Sequence, residues 1–435
     1  MFSPHTRRAF LGSALAGLAA NLAPAQDVKP ASTKSLEEAP FQPSTLFLTW
    51  HRDPTTTMVV QWVGTRGETP DTTVYYGETD GDSWEKQKPI VKPYHPDTDF
   101  KVFRAELTGL TPNTEYDFKI GKNLSPTYKF RTMPAKATDT ISFISGGDAG
   151  VNPHAIANNI QAARQNPDFV VIGGDLAYEN GKSTELHLAF LRNYSRTMIG
   201  KGGRLIPLVA GIGNHETQGG YNQTRERAPF FYSLFDGLYP ETGYNTLDFG
   251  DYLSLVMLDT GHTSAIGGEQ ADWLDKELKE REDHPNVMVV NHVPAYPSYR
   301  SMTGSKAGTG TGEENRQYWV PLFEHHRVPV VLEHHDHTFK RTKPLINGLA
   351  HDNGVLYLGD GSWGRVRAPQ RPEKLSHLAI AKEDYHLTLH RLQGADRYHL
   401  ALDENGRVMD VSHSGQRLKG QFAVGGPLPK PKGKS

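Results

Sequence analysis

Ile141-Ser142-Phe143-Ile144-Ser145-Gly146-Gly147-Asp148-Ala149-Gly150 is a short apolar run that stops abruptly at glycines and one aspartate. Such a run, bounded by turn residues, reads as a buried strand, and a layered α/β scaffold places its ligands just beyond strand ends. The same pattern recurs along the chain. Residues 169–172 lead into Gly174-Asp175-Leu176-Ala177-Tyr178, and residues 205–209 into Gly213-Asn214-His215-Glu216. Residues 287–290 lead into Asn291-His292, and residues 328–332 into His334-His335-Asp336-His337; runs at 253–258 and 355–358 precede Asp259 and Asp360. Between them, residues 154–165 and 269–282 space apolar side chains as one helix face (Ile156, Ile160 and Ala163; Trp273, Leu274 and Leu278). Alternation of this kind predicts an α/β layered fold of sheets and helices over residues 139–413. Asn405-Gly406 between two apolar runs predicts a late hairpin.

Each cluster alone has a plain structural reading. Gly-Asp after a strand is a common turn, a His there is commonly hydrogen-bonded packing, and Tyr178 alone would be a packed aromatic. Asp259 and Asp360 are read in that structural way. Together, however, the clusters supply two carboxylates, a phenol, an amide and three or four imidazoles. That donor set suits a pair of first-row transition metals better than calcium or magnesium alone.

Upstream, residues 41–134 carry a different signature. Short runs at 58–63, 74–76, 102–107 and 116–120 are separated by Gly, Pro and Asp, and Tyr116, Phe118 and Ile120 alternate onto one face. Leu110-Thr111-Pro112-Asn113-Thr114-Glu115-Tyr116 resembles the tyrosine corner of fibronectin type III domains, so an all-β sandwich acting as a scaffold is expected here. Residues 1–25 read as a twin-arginine signal peptide: Thr6-Arg7-Arg8-Ala9-Phe10-Leu11, an apolar stretch to Leu22, then Ala23-Pro24-Ala25 at the cleavage-site spacing. About a dozen apolar residues fall short of the ~20 a spanning helix needs, so a periplasmic or secreted protein is expected, without integral membrane association. Residues 26–40 read as a linker and 414–435 as a disordered tail.

With 435 residues the chain has room for two buried cores, and its 37% apolar and 22% charged residues are ordinary for a soluble protein. A net charge of −2 without a basic stripe argues against nucleic acid as a partner. The absence of cysteine removes disulfides and zinc–thiolate sites, leaving His, Asp, Glu, Asn and Tyr to hold any metal.

The order Gly-Asp-x-Gly, Gly-Asp-x-x-Tyr, Gly-Asn-His-Glu, x-x-x-His, His-x-His resembles the purple acid phosphatases, a branch of the calcineurin-like metallophosphoesterases. The resemblance covers nearly all of the chain after the signal, including the fibronectin-like N-terminal domain of the larger members. It implies a binuclear centre of Fe(III) with a divalent ion (Zn, Mn or Fe). Asp175 would bridge; Asp148, Tyr178 and His337 would complete the first site, and Asn214, His292 and His335 the second. Other metallophosphoesterases have a His ligand where this chain has Gly150, and Tyr178 supplies the replacement, as a phenolate that favours Fe(III). His215 resembles a family His that contacts phosphate or protonates the leaving alkoxide, with ligand orientation as its plainer role. His334 stands where the family has Gly, which leaves open crowding of the site, an extra acid, or an extra ligand, and leaves the choice between His334 and His335 as ligand open.

Plant-type members carry His nine or ten positions beyond the Asn-His ligand. Here Ser301 and Met302 stand there, and Arg300 offers a guanidinium for a phosphate oxygen instead. Residues 302–315 are Gly-, Ser- and Thr-rich, and read equally as a substrate lid or an idle loop. The implied activity is an acid phosphatase, a hydrolase of small phosphate monoesters, acting through a metal-bound hydroxide with an acid-side pH optimum. Alternatives are a phosphodiesterase or nucleotide hydrolase on the same bimetal site, and a non-catalytic surface-binding protein with a relic metal domain.

Overall fold

The computed structural model describes residues 42–64, 71–122, 124–137, 141–304 and 310–415. The expected signal peptide and linker, and all but the first two residues of the expected tail, lie outside the described residues.

Eight strands form the N-terminal sandwich: β1 (Phe47–Thr49), β2 (Met58–Gly64), β3 (Val74–Glu78), β4 (Glu85–Gln87), β5 (Ile90–Pro93), β6 (Lys101–Leu107), β7 (Glu115–Ile120) and β8 (Tyr128–Arg131). They pair antiparallel in two sheets, ordered β1-β2-β6-β5 and β4-β3-β7-β8. Tyr116, Phe118 and Ile120 of β7 are buried while their neighbours are not, as a half-buried strand requires. The Tyr116 hydroxyl accepts the Thr111 amide at 2.9 Å, which closes the expected corner. β2 is buried on both faces, because its outer face meets the rest of the protein. There Gln61 and the nearly buried Arg104 reach the helix α3 (Pro229–Phe235) and its end: Arg104 bonds the Leu234 carbonyl at 2.8 Å and Asp236 at 2.6 Å. Trp50 packs edge-on to Phe169 and Phe249 at 5.9 and 5.7 Å, so sandwich and layered region share one core.

The layered region opens with β9 (Ser142–Gly146), α1 (Pro153–Arg164), β10 (Phe169–Gly173), α2 (Thr184–Thr197) and β11 (Leu208–Gly211). Asn152 starts α1 by accepting the Ala155 amide at 2.9 Å, with Pro153 set in the first turn, where its missing N–H costs nothing. After α3 come β12 (Asn245–Phe249), β13 (Leu253–Leu258), α4 (Glu269–Glu280), β14 (Asn286–Asn291), α5 (Glu313–Tyr318), α6 (Val320–His325), β15 (Val330–Glu333) and β16 (Phe339–Thr342). The minor hairpin β17 (Leu345–Ile346) and β18 (Leu349–Ala350) precedes β19 (Leu356–Asp360), β20 (Leu378–Lys382), β21 (His386–Gln393), β22 (Asp396–Asp403) and β23 (Val408–Ser414). Gly406 takes φ 82° in the expected late turn between the last two.

Two mixed sheets result, ordered β11-β10-β9-β21-β22-β23 and β12-β13-β14-β15-β19-β16-β20. Along β14, Met288 and Val290 join the core shared with the first sheet, whereas Val287 and Val289 face Leu274 and Leu278 of α4 and Leu322 and Phe323 of α6. Period-two alternation of apolar residues on both sides is what a sheet buried on both faces needs. β9, β10 and β11 run parallel, as do β13, β14, β15 and β19, so the carboxyl ends within each set point one way. The two edges meet where the polar clusters lie. The Asp148 amide donates to Gly174, the His334 amide to His292, and the His335 amide to the Asp148 carboxylate. The expected loop at 302–315 ends in α5, and residues 305–309 are outside the described residues. Among the described residues no helix is long and apolar enough to cross a membrane.

Candidate metal centre

Parallel strands deliver the ligand loops, and the loops go on pairing after the strands end. Amides of Asp148, Ala149 and Gly150 donate to the carbonyls of Gly174, Asp175 and Leu176, while Trp363 and Gly364 donate to Gly147 and Asp148 from the other side. Within these turns Asp148, Asp175, Tyr178, His335 and His337 all have positive φ, between 55° and 65°. Side chains other than Gly or Asn rarely adopt that conformation, and each instance costs roughly 1 kcal/mol or more, so five at one place mark a site whose surroundings hold it under strain.

The donor atoms fall into two tight groups. In the first, Asp148 Oδ1 lies 3.0 Å from His337 Nε2 and 3.2 Å from the Tyr178 hydroxyl, which is itself 3.0 Å from His337 Nε2. In the second, His292 Nε2 lies 3.3 Å from Asn214 Oδ1, 3.2 Å from His335 Nδ1 and 3.3 Å from Asp175 Oδ1. Asp148, Asp175, His292 and His335 each offer an atom within 4.8 Å of the others, so the groups adjoin. Bond lengths of about 2.1 Å put neighbouring donors about 3.0 Å apart in an octahedral shell and about 3.4 Å apart in a tetrahedral one. Both groups have the edges of a shell around a single ion. The second oxygen of Asp175, Oδ2, is buried and has no hydrogen-bond partner among the described residues, an arrangement that a cation on that side would relieve. His292 donates Nδ1–H to the Gly173 carbonyl at 3.0 Å, which turns Nε2 toward the cluster.

Electrostatics agree with a cation site. Burial alone would raise the Asp175 carboxyl, but the imidazoles of His292, His215 and His335 hold it well below the usual carboxylate range. Burial would lower His292, yet Asp175 and Asp148 bring it up to about 9. His335, lowered by burial and then by His292 and Arg300, is a neutral lone-pair donor. Burial and the Asp148 and Asp175 carboxylates push the Tyr178 phenol well above its ordinary value, so ionising it takes a highly charged cation at its oxygen. The residues fit a pair of metal ions.

All seven residues expected as ligands are thus brought together. His215 lies at the mouth: its Nε2 is 3.9 Å from Asp175 Oδ2, its Nδ1 is bonded to Asn180 Oδ1 at 2.5 Å, and its ring rests 4.4 Å from that of Tyr178. Two expected residues do not join the donors. His334, expected as a crowding group, acid or ligand, is buried beneath the ligand loops; a Cβ at Gly173 or Gly147 would sit 1.8 or 2.7 Å from its ring, so those glycines make its room. Arg300, expected to grip phosphate, donates through Nη1 to the His335 carbonyl at 2.5 Å and to Asp336 at 2.9 Å, which fixes the turn carrying two ligands. Gly150 and Tyr178 answer each other in space, since a Cβ at 150 would come within 3.4 Å of the Tyr178 ring. Asp259, read as structural, accepts the His262 and Thr263 amides and closes its own loop.

Sequence reading left several participants unassigned. Glu216, quoted only as the end of a motif, accepts the amides of Gly213, Asp175 and Leu176 at 2.6, 2.8 and 2.7 Å, and so ties two ligand loops together. Arg365 lies over the Tyr178 ring at 4.4 Å, and the Tyr221 hydroxyl is 3.3 Å from His335 Nε2. A glutamate directly after a ligand turn was a usable signal; Arg365 and Tyr221 gave none.

This fold and this pair of donor shells define a metallophosphoesterase, and residues 146–339 match the calcineurin-like phosphoesterase family model. Residues 43–132 match the purple acid phosphatase N-terminal domain, and with both domains present in this order the chain belongs to the purple acid phosphatase family. It is 26% identical to purple acid phosphatase 21 of Arabidopsis thaliana over 286 residues, 62% of each chain. The chain therefore spans about three-fifths of that relative's length. Among solved structures, yellow lupin (Lupinus luteus) purple acid phosphatase PPD1 gives a TM-score of 0.69 at 15% identity, covering 85% of this chain and 73% of that one. A structure of PhoD gives 0.59 at 13%, covering 85% and 92%.

Proposed function

We propose that the protein is an exported binuclear-metal acid phosphatase that hydrolyses phosphate monoesters. The observation that carries this reading is the two adjoining donor groups, with Asp175 within 4.8 Å of Asp148, His292 and His335 and with His215 beside that carboxylate. Asp148, Tyr178 and His337 would hold Fe(III), Asn214, His292 and His335 a divalent Zn, Mn or Fe, and Asp175 both; ions so held acidify water and offset charge on phosphoryl oxygens.

The chain's own side chains do the rest. When its ring is protonated, His215 donates Nε2–H to a phosphoryl or leaving oxygen, and Asn180 Oδ1 steadies it by accepting the Nδ1 hydrogen. Gly173 and Glu216 fix the aim of the ligands. Arg365, over the Tyr178 ring, adds positive charge beside the first shell. Export is supported by Arg7-Arg8 and the apolar stretch after them, and changing both arginines to lysine would hold the protein in the cytoplasm of a bacterial host.

The test combines metal analysis with two substrates. Two ions per chain, visible absorption from the phenolate–iron pair, and faster hydrolysis of mono-aryl than bis-aryl phosphate are expected. Protein purified without iron and colourless would refute the assignment, and a preference for the diester would move it to the phosphodiesterases.

A further inference from the structure

Beside the second donor shell lies a cavity of about 370 Å³. Tyr221 and His335 line it on the metal side; Ile266 and Val293 give apolar wall, Thr260, Thr311 and Asn315 polar wall, and Glu313 and Glu314 negative charge. We propose that this cavity receives the alcohol part of the phosphate ester, with Tyr221 as a catalytic residue that donates a hydrogen bond to the ester oxygen. The inference rests on the phosphatase reading above.

The tautomer of His335 directs the Tyr221 hydrogen. His335 Nδ1 faces the donor shell, 3.2 Å from His292 Nε2, so binding an ion there requires the Nδ1 lone pair and leaves the ring hydrogen on Nε2. Nε2 lies 3.3 Å from the Tyr221 oxygen, which must then accept that hydrogen. Among the described residues the Tyr221 hydroxyl has no other hydrogen-bond partner, so its own hydrogen is available to the cavity. The loop bearing it is fixed: the Asn222 and Gln223 amides donate to Gly261 and His262, and His262 Nδ1 holds the Gly220 carbonyl at 2.9 Å.

During hydrolysis the oxygen of water forms the new P–O bond, and the ester P–O bond breaks with its electron pair left on the alcohol oxygen. A proton lost by the water ends on that oxygen, giving alcohol and phosphate. Tyr221 stabilises the departing oxygen and stays protonated throughout. Glu313 and Glu314, which line the cavity, select alcohols that are uncharged or cationic and oppose those bearing a second phosphate.

Two variants of the metal-loaded protein test this. Thr311→Trp fills the cavity away from every ligand. Calorimetry should show an aryl phosphonate (non-hydrolysable) bound at least about tenfold more weakly and orthophosphate unchanged, because phosphate alone has no group to place in the pocket. Equal weakening of both, or of neither, overturns the pocket, whether or not any ester is hydrolysed. Tyr221→Phe should keep both metals and lose about 10- to 100-fold in kcat on alkyl phosphates, with less lost on nitrophenyl phosphate, whose oxygen leaves unaided. A uniform loss cured by excess metal would show that Tyr221 only orients His335. Wild-type protein inert toward every ester, yet binding phosphonate in this way, would sink the phosphatase reading and leave the pocket standing.

Discussion

Glu216→Gln is the sharpest test of how the ligand loops are held. The wild-type carboxylate lies fully buried and takes three amide hydrogens, Leu176 on one oxygen and both Asp175 and Gly213 on the other. Burial and the nearby Asp175 push its pKa up to about 7, against the Leu176 and Asp175 amides and His292, which favour its charged form. Glutamine has the same shape but only one acceptor oxygen. Turned either way, its NH2 group faces at least one amide, which is left without an acceptor. Hydrogen bonds to a charged group are worth about 1.5–3 kcal/mol each, so one loss and the added N–H repulsion give a cost of about 2–4 kcal/mol. For a chain of this size that lowers the thermal midpoint by about 2–5 °C. Because the lost bonds belong to Asp175 and to the loop of Asn214, metal affinity should fall about 10- to 100-fold, the usual penalty for removing a group that orients ligands. Scanning calorimetry of metal-free and loaded protein, with metal titration, reads both effects. A variant with wild-type midpoint and affinity would show that the loops keep their geometry without the clamp.

Other changes probe different parts of the molecule. Gly150→His places a side chain at φ +70° against Tyr178 and beside Arg365; about 1–3 kcal/mol of stability should be lost along with the visible absorption, and unaltered spectra would contradict the spatial exchange between the two positions. Chelation should lower the thermal midpoint, since at 100 times its dissociation constant an ion adds about 2.7 kcal/mol to a site built on strained residues, and a midpoint insensitive to chelator would refute that link. Asp236→Ala removes the partner of Arg104 at the joint of sandwich and layered region, for about 2 kcal/mol given that Asp236 is a third exposed; an unchanged urea midpoint would count against that joint.

The remaining prediction concerns pH. His187 is lowered to about 3 by burial, and His51 and His377 to about 4 by burial and neighbouring cations. Folded pKa values below the unfolded one mean that stability is complete above about pH 6.5 and falls with acidification, by about 1.4 kcal/mol per pH unit for each such His, down to the folded pKa. Urea unfolding of metal-free protein between pH 7 and 4 should therefore be less steep in pH for His187→Asn, and an identical slope would exclude His187.

Much of this architecture could be read from the chain because two of its signals are local. Strand ends carrying glycine and a polar side chain located all seven donors, and the Tyr116 corner marked the sandwich; both depend on residues within a few positions of each other. What escaped reading depends on distance. Tyr221 meets His335 across 114 positions and Arg365 meets Tyr178 across nearly two hundred, and no periodicity carries such pairings. Arg300 shows the same limit: the His335 carbonyl and the Asp336 carboxylate that hold its Nη1 lie 35 and 36 positions away, and no local pattern announces them.

The histidine at 334 also restricts the routes by which this sequence can have changed. Gly173 and Gly147 leave the hollow that its imidazole fills, and Gly173 has an ordinary negative φ, so space rather than backbone freedom demands a glycine there. An alanine at 173 would place its Cβ 1.8 Å from the His334 ring, so the imidazole would have to leave the hollow. A side chain at 173 and an imidazole at 334 compete for one volume, so the effect of a change at either position depends on the residue at the other.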